Sequence, residues 1–171
     1  MEPDESLRRF SGIAALYGSQ GLSRLMDSHV CVIGAGGVGS WVAEALARSA
    51  IGSITLIDMD HVSLSNINRQ LVALDSTRGM AKVRVLAGRI GDINPHARVH
   101  TIEEFVTHQR HAELLDREYD IVVDCIDNYR DKAAIIAWCS RQRVPVITIG
   151  GTGGKTCLLY TSDAADECVN V

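Results

Sequence analysis

The stretch "HVCVIGAGGVGSWVAEALA", His29 to Ala47, decides how the rest of the chain reads. An apolar run of strand character meets a glycine cluster, and an Ala-rich amphipathic segment follows. Strand, tight turn and helix in that order form a phosphate-binding unit. Gly34, Gly36 and Gly39 give the G-x-G-x-x-G spacing, with Gly37 as an extra glycine. The first permits the tight turn, the second lets main chain approach phosphate, and the third lets the helix pack on the strand. Phosphate would then meet the helix N-terminus, where free N–H groups and the dipole favour negative charge. The pattern leaves open whose phosphates these are. They could belong to a dinucleotide in hydride transfer or to an ATP that is to be split.

Outward from this turn, apolar runs alternate with amphipathic segments. "SITLIDMD" reads as a second strand, and Gly79 to Ile93 as a helix stopped by Asn94-Pro95. "RVHTIEEFV" holds a third strand, with a short helix around Gln109 to Arg117. "YDIVVDCID" is a fourth strand, Asp131 to Gln142 a helix and "VPVITIGG" a fifth strand. This alternation predicts an α/β, Rossmann-like, mainly parallel sheet with helices on both faces. On the N-terminal side, Leu7 to Met26 has apolar positions at helical spacing broken by Gly18 and Gly21, which predicts two short helices. Trp41 and Trp138 fall on helices and are expected to pack against the sheet.

The 171 residues suffice for one domain with a real core, and 46% hydrophobic with 22% charged residues is ordinary globular composition. The net charge of -4 supplies no global basic field to draw in nucleic acid or membrane. The opening "MEPDESLRRF" is acidic and polar, unlike a signal peptide, and no apolar run reaches the roughly 18 residues that span a bilayer. The expected location is cytoplasmic, with no membrane segment. None of the five cysteines forms a C-x-x-C pair, so no zinc clip is visible. Cys31 and Cys125 sit in strand-like runs and read as buried, inert thiols.

Asp58 ends the second strand, about 20 residues past the glycine turn, where a carboxylate can accept hydrogen bonds from ribose hydroxyls. NAD and ATP still fit equally at this point. The segment "SLSNINRQLVALDSTRGMAK" separates them, because it carries Asn66, Arg69, Gln70 and Lys82. An Arg that clamps two oxygens and a Lys that acts as a point charge suit a triphosphate and a departing pyrophosphate. Hydride transfer develops no such charge. In "VVDCIDNYRDK", Asp124 lies in the fourth strand and reads as a core-edge group bonded to backbone. Asp127 lies just past the strand, where it could hold magnesium (Mg2+) between phosphates. Asn128 could bond the nucleotide or cap the next helix. His61 is a minor general-base candidate, and the pair His108 and His111 reads as a solvated face.

"GAGGVGS", "LIDMDHVSLSNINRQ", "GMAK" and "DCIDN", in this order, closely resemble the adenylating domain of the ubiquitin-activating-enzyme-like superfamily, the ThiF/MoeB/HesA group. Within it, "RFSGIAALYG", "NINRQ" and "IDNYRDKAAIIAWCSRQRVPVITIGGTGG" look most like the tRNA threonylcarbamoyladenosine dehydratases. The resemblance covers Leu7 to about Lys155. It implies an ATP- and magnesium-dependent enzyme that activates the carboxylate of a threonylcarbamoyl group on tRNA and closes it into a ring with loss of water. It implies a tRNA substrate, a homodimer and a sulfur-transfer protein partner. By match to the motifs, Gly34, Gly36, Gly37 and Gly39 would form the phosphate turn. Asp58 would meet the ribose, with Asp60 in the same set. Ser65, Asn66, Arg69 and Lys82 would surround the phosphates, and Asp127 and Asn128 would complete the site, Asp127 as the metal ligand. Arg69, Lys82 and Asp127 would be the catalytic groups. The resemblance leaves two rival readings, an adenylyltransferase for a ubiquitin-like sulfur carrier and an NAD-binding oxidoreductase. Residues 1–156 are expected to be the adenylating domain, the N-terminal part of a longer protein. The end from Cys157 resembles a translated sequencing adapter, so 157–171 are expected to be a non-native tail.

Overall fold

The computed structural model describes residues 3–150, so the expected boundary at Thr156 and the tail beyond it lie outside the described residues. Five strands form one sheet: β1 (His29–Ile33), β2 (Ser53–Ile57), β3 (Arg98–Ile102), β4 (Ile121–Asp124) and β5 (Val146–Thr148). Every pairing is parallel, and the order across the sheet is β3-β2-β1-β4-β5. The chain steps outward from β1 to β2 and β3, then returns to the other side of β1 for β4. Between β1 and β4 it therefore leaves a crevice at the strands' C-terminal ends, which is where open α/β sheets bind ligands.

The helices are α1 (Pro3–Arg9), α2 (Ser11–Asp27), α3 (Gly39–Arg48), α4 (Lys82–Ile93), α5 (His111–Leu114) and α6 (Tyr129–Gln142). Side chains alternate across the buried central strands and so feed two cores. Val30 and Val32 of β1 join Ala43 and Ala47 of α3 with Val83, Leu86 and Ile90 of α4 on one face. Cys31 and Ile33 join Leu115, Ile135, Trp138 and Cys139 on the other, under α6. Edge strands β3 and β5 are mostly exposed.

The sequence reading differs from the structure in several places. The N-terminal break falls at Phe10 and at Gly18, whose φ of 73° kinks α2, whereas Gly21 stays helical. Trp138 is buried as expected, but Trp41 is 56% exposed on α3. Trp41 follows the glycine turn on the first turn of α3, and α3 packs on the sheet through its small residues Ala43 and Ala47 instead. The third strand ends at Ile102, so Glu103 to Val106 form a loop. The helix between β3 and β4 has one turn, and α4 starts at Lys82 rather than at Gly79, whose φ is 80°.

Candidate active site

The glycine turn joins β1 to α3 with little room to spare. Gly34 has a φ of 89°. A Cβ on Gly39 would lie 1.7 Å from the Gly34 carbonyl oxygen, so only glycine lets α3 start this close to the strand. Gly39 is buried behind the turn and does not line the cavity, so its part is packing. The main-chain N–H groups of Gly36, Gly37 and Val38 make no hydrogen bond among the described residues, and all three residues line the cavity. They are open donors at a helix start.

The cavity has a volume of about 900 Å³ and sits over the crevice between β1 and β4. Nucleotide-sized ligands occupy pockets of this order. Asp58 stands at its wall, half-buried. One carboxylate oxygen accepts from Ala35 N at 2.6 Å and the other from Asp60 N at 2.7 Å. The group therefore braces the glycine turn from the end of β2, with lone pairs left for a ligand. Asp60 in turn binds the Lys82 amine at 2.8 Å; the lysine side chain is 5% exposed and the aspartate's 51%.

Arg69 lines the same cavity and is exposed. Its Nη1 donates to the Ser65 carbonyl at 2.7 Å and to Asn68 Oδ1 at 2.9 Å, which leaves the rest of the fork free. Ser65 does not line the cavity; its hydroxyl meets Ser63 and its carbonyl props Arg69. Asn66 is buried and accepts from Ser63 N, which ties down the short 3-10 turn Leu64–Asn66. On the far wall Asp127 is exposed and has no hydrogen-bond partner among the described residues. Asn128 caps α6, its side-chain oxygen accepting from Arg130 N and Asp131 N. Capping is thus observed, and its amide nitrogen remains for a ligand.

Behind Asp127, Asp124 is wholly buried and paired with Lys132 Nζ at 2.6 Å. Its other oxygen accepts from Ile126 N. It is held by a charged partner as well as by backbone, which sequence reading missed. Cys125 lies beside this pair at the cavity floor, and burial pushes its thiol up to about 11. Cys31 is pushed up to about 12 for the same reason. Neither is a thiolate near neutrality, so neither is an activated nucleophile.

The model of the ThiF family matches residues 10–171. The chain belongs to the ThiF family. Within the family, the tRNA threonylcarbamoyladenosine dehydratase of Haemophilus influenzae is 51% identical over 153 residues, covering 90% of this chain and 59% of the relative. The molybdopterin-synthase adenylyltransferase of the same organism is 34% identical, covering 75% of this chain and 52% of the relative. The crystal structure of the Escherichia coli tRNA N6-threonylcarbamoyladenosine dehydratase in complex with ATP superposes with a TM-score of 0.88 at 49% identity, covering 92% of this chain and 65% of that one. The chain thus spans between half and two thirds of the length of these proteins.

Against this family background, the cavity brings together Gly34, Gly36, Gly37, Asp58, Asp60, Asn66, Arg69, Lys82, Asp127 and Asn128, but not Gly39 or Ser65. It also recruits a wall that sequence reading missed: Glu104, Phe105, Val106 and Thr107, the loop after β3. Asp131 Oδ1 fastens this loop to α6 by accepting from His108 N at 2.7 Å and lying 3.1 Å from its Nδ1. The loop's place after a parallel strand was the available signal, hidden because "EEFV" reads as strand. His61 is exposed, pairs through backbone with Ala81 and does not line the cavity.

Proposed function

We propose that the chain is the ATP-binding part of an ATP-dependent tRNA threonylcarbamoyladenosine dehydratase. The observation that carries this reading is the convergence of open glycine-turn N–H groups, Lys82, Arg69 and a free Asp127 carboxylate on one cavity. A carboxylate oxygen is a poor leaving group. Attack of the threonylcarbamoyl carboxylate on the α-phosphorus breaks the bond to the β-phosphate and expels pyrophosphate, giving an acyl adenylate. A carbamoyl nitrogen then attacks the acyl carbon, loses its proton and expels AMP. The carboxylate has lost one oxygen to AMP and the ring is closed, the balance of a dehydration.

Negative charge grows on the α-phosphate and the leaving pyrophosphate. Lys82, Arg69 and the turn's N–H groups stabilise it, and such preorganised groups are worth roughly 2.7–4 kcal/mol each. Asp58 orients the ribose. Among the described residues no three acidic, His or Cys side chains cluster to hold a metal by themselves. Magnesium needs only one or two carboxylates when phosphates supply the rest, so the single free Asp127 fits it. When bound there, the ion would neutralise phosphate charge. The raised thiols of Cys31 and Cys125 agree with a route that needs no thioester.

The tRNA substrate implies the cytoplasm as the working compartment. A homodimer is the proposed assembly, supported by large apolar side chains left in solvent, Leu16, Tyr17 and Trp41 among them. The test is pyrophosphate release from ATP by the protein that carries this chain. Release with tRNA bearing threonylcarbamoyladenosine, and not with a ubiquitin-like sulfur-carrier tail, is the expected result. Release with the carrier alone, or tight NAD binding without ATP consumption, overturns it.

A further inference from the structure

Asp60 lines the cavity, yet its charge has the wrong sign for a triphosphate. Its geometry suggests another task. The main chain around it is held in a clip with the start of α4. His61 and Ala81 form an antiparallel bridge. Val62 N donates to the Met80 carbonyl at 2.9 Å, Gly79 N to the Val62 carbonyl at 2.9 Å and Lys82 N to the Asp60 carbonyl at 3.0 Å. Backbone bonds thus fix the two residues side by side before their side chains meet. Across this clip the Asp60 carboxylate takes the Lys82 amine at 2.8 Å, its one hydrogen-bond partner among the described residues. An ammonium has three donors, so two remain at the cavity wall.

The pair does not stand alone. Asp60 N donates to Asp58, and Asp58 accepts from Ala35 N in the glycine turn. A single relay therefore runs from the turn through Asp58 and Asp60 to Lys82. A lysine stem is flexible and loses rotamer freedom when ordered, so an amine fixed in advance binds phosphate with less entropic cost.

We propose that Asp60 is a positioning residue. Its carboxylate holds the Lys82 ammonium at the cavity wall, ready for phosphate, and acts on ATP through Lys82 rather than by touching the nucleotide. This rests on the ATP reading of the cavity. It differs from the family-based expectation, which sets Asp60 among the nucleotide's own contacts.

The test is a double-mutant cycle read by calorimetric titration of the protein that carries this chain with ATP and magnesium. Asp60→Asn keeps the shape and removes the charge. It is expected to weaken ATP binding about tenfold, the scale of one lost charge-assisted hydrogen bond. In a Lys82→Met background the same change is expected to have no effect, because there is no amine to place. Asp60→Glu, which keeps a carboxylate within reach, is expected to restore most of the affinity. Melting temperatures of all variants, measured alongside, separate binding from folding. An Asp60→Asn effect that persists without Lys82 means direct contact and overturns the inference, as does unchanged or tighter binding. Failure of the unaltered protein to bind ATP overturns the nucleotide reading itself, and the inference falls with it.

Discussion

Lys82 and Asp60 lie 2.8 Å apart, and Lys132 and Asp124 lie 2.6 Å apart, both pairs at the C-terminal edge of the same sheet. Their surroundings differ. In the first pair the lysine is buried and the aspartate is half in solvent. In the second the aspartate is wholly buried, and Lys132 also donates to the Ile149 carbonyl. Asp124 gives its other oxygen to Ile126 N, so both carboxylate oxygens are engaged and Lys132 keeps a single spare donor. The first pair keeps spare donors beside a cavity. The same two residue types thus make a presented charge in one place and a strut in the other. What separates them is the number of hydrogen bonds left unfilled.

Breaking the strut is expected to have the largest effect on the fold. Lys132→Met leaves the Asp124 charge buried without its partner, and such a loss costs about 3–5 kcal/mol. Chemical denaturation should show it, and Lys132→Met with Asp124→Asn together should recover most of the loss. A cost below about 1 kcal/mol for the single change would erase the contrast with the open pair. Lys82→Met should do the opposite. It replaces a buried stem by one of similar length, so stability should change little, while ATP affinity falls by roughly tenfold or more. Equal loss of stability in the two lysine variants would break the comparison.

Asp58→Ala sharpens it from a third side. The carboxylate both faces the cavity and braces Ala35 N, so ATP binding and protection of the Ala35 amide from hydrogen exchange should fall together. Unchanged exchange at Ala35 would show that the turn holds without its brace.

Glu44 gives an intermediate case away from the cavity. Its buried carboxylate is shared by Arg89 of α4 and Arg48 of its own helix, both partly or well exposed. The Arg89 hydrogen bond, then that of Arg48, holds the group below the ordinary carboxylate value near 4.5, against the opposing effect of burial. A lowered folded value means that the clamp contributes fully above about pH 4.5 and is lost as pH falls through the lower value. Glu44→Gln should cost about 1 kcal/mol at pH 7 and flatten the acid limb of the stability profile. The smallest effect is kinetic. The Cys125 thiol, raised to about 11, should alkylate slowly at pH 8 and faster as pH rises, and bound ATP should slow it further.

Much of the site could be read along the chain because its chemistry is local. The glycine turn, Asp58 and the Asn66-to-Arg69 segment each follow β1 or β2 directly, and parallel strands put such endings on one edge. Asn128 could be read either way, and its cap on α6 uses the oxygen but leaves the amide nitrogen. The Glu104-to-Thr107 wall was not legible, because β3 stops at Ile102 only where its pairing with Ile57 of β2 ends. Trp41 misled for a related reason. Helical periodicity gives an apolar position, but the close approach of α3 at Gly39 leaves space at the sheet for alanine, not for an indole.

By itself the sequence determined the parallel α/β fold, the glycine turn after the first strand and the kinds of charged side chain around it. These follow from short-range rules: hydrophobic period, glycine conformation and order along the chain. Only the tertiary structure decided which of those charges are free to act. Asp60 with Lys82 and Asp124 with Lys132 look alike as letters. Their difference comes from the further bonds the fold adds at the second pair, Ile126 N to Asp124 at 3.2 Å and Lys132 to the Ile149 carbonyl at 3.1 Å, since each added hydrogen bond in a buried place turns a group available for binding into one that holds the fold.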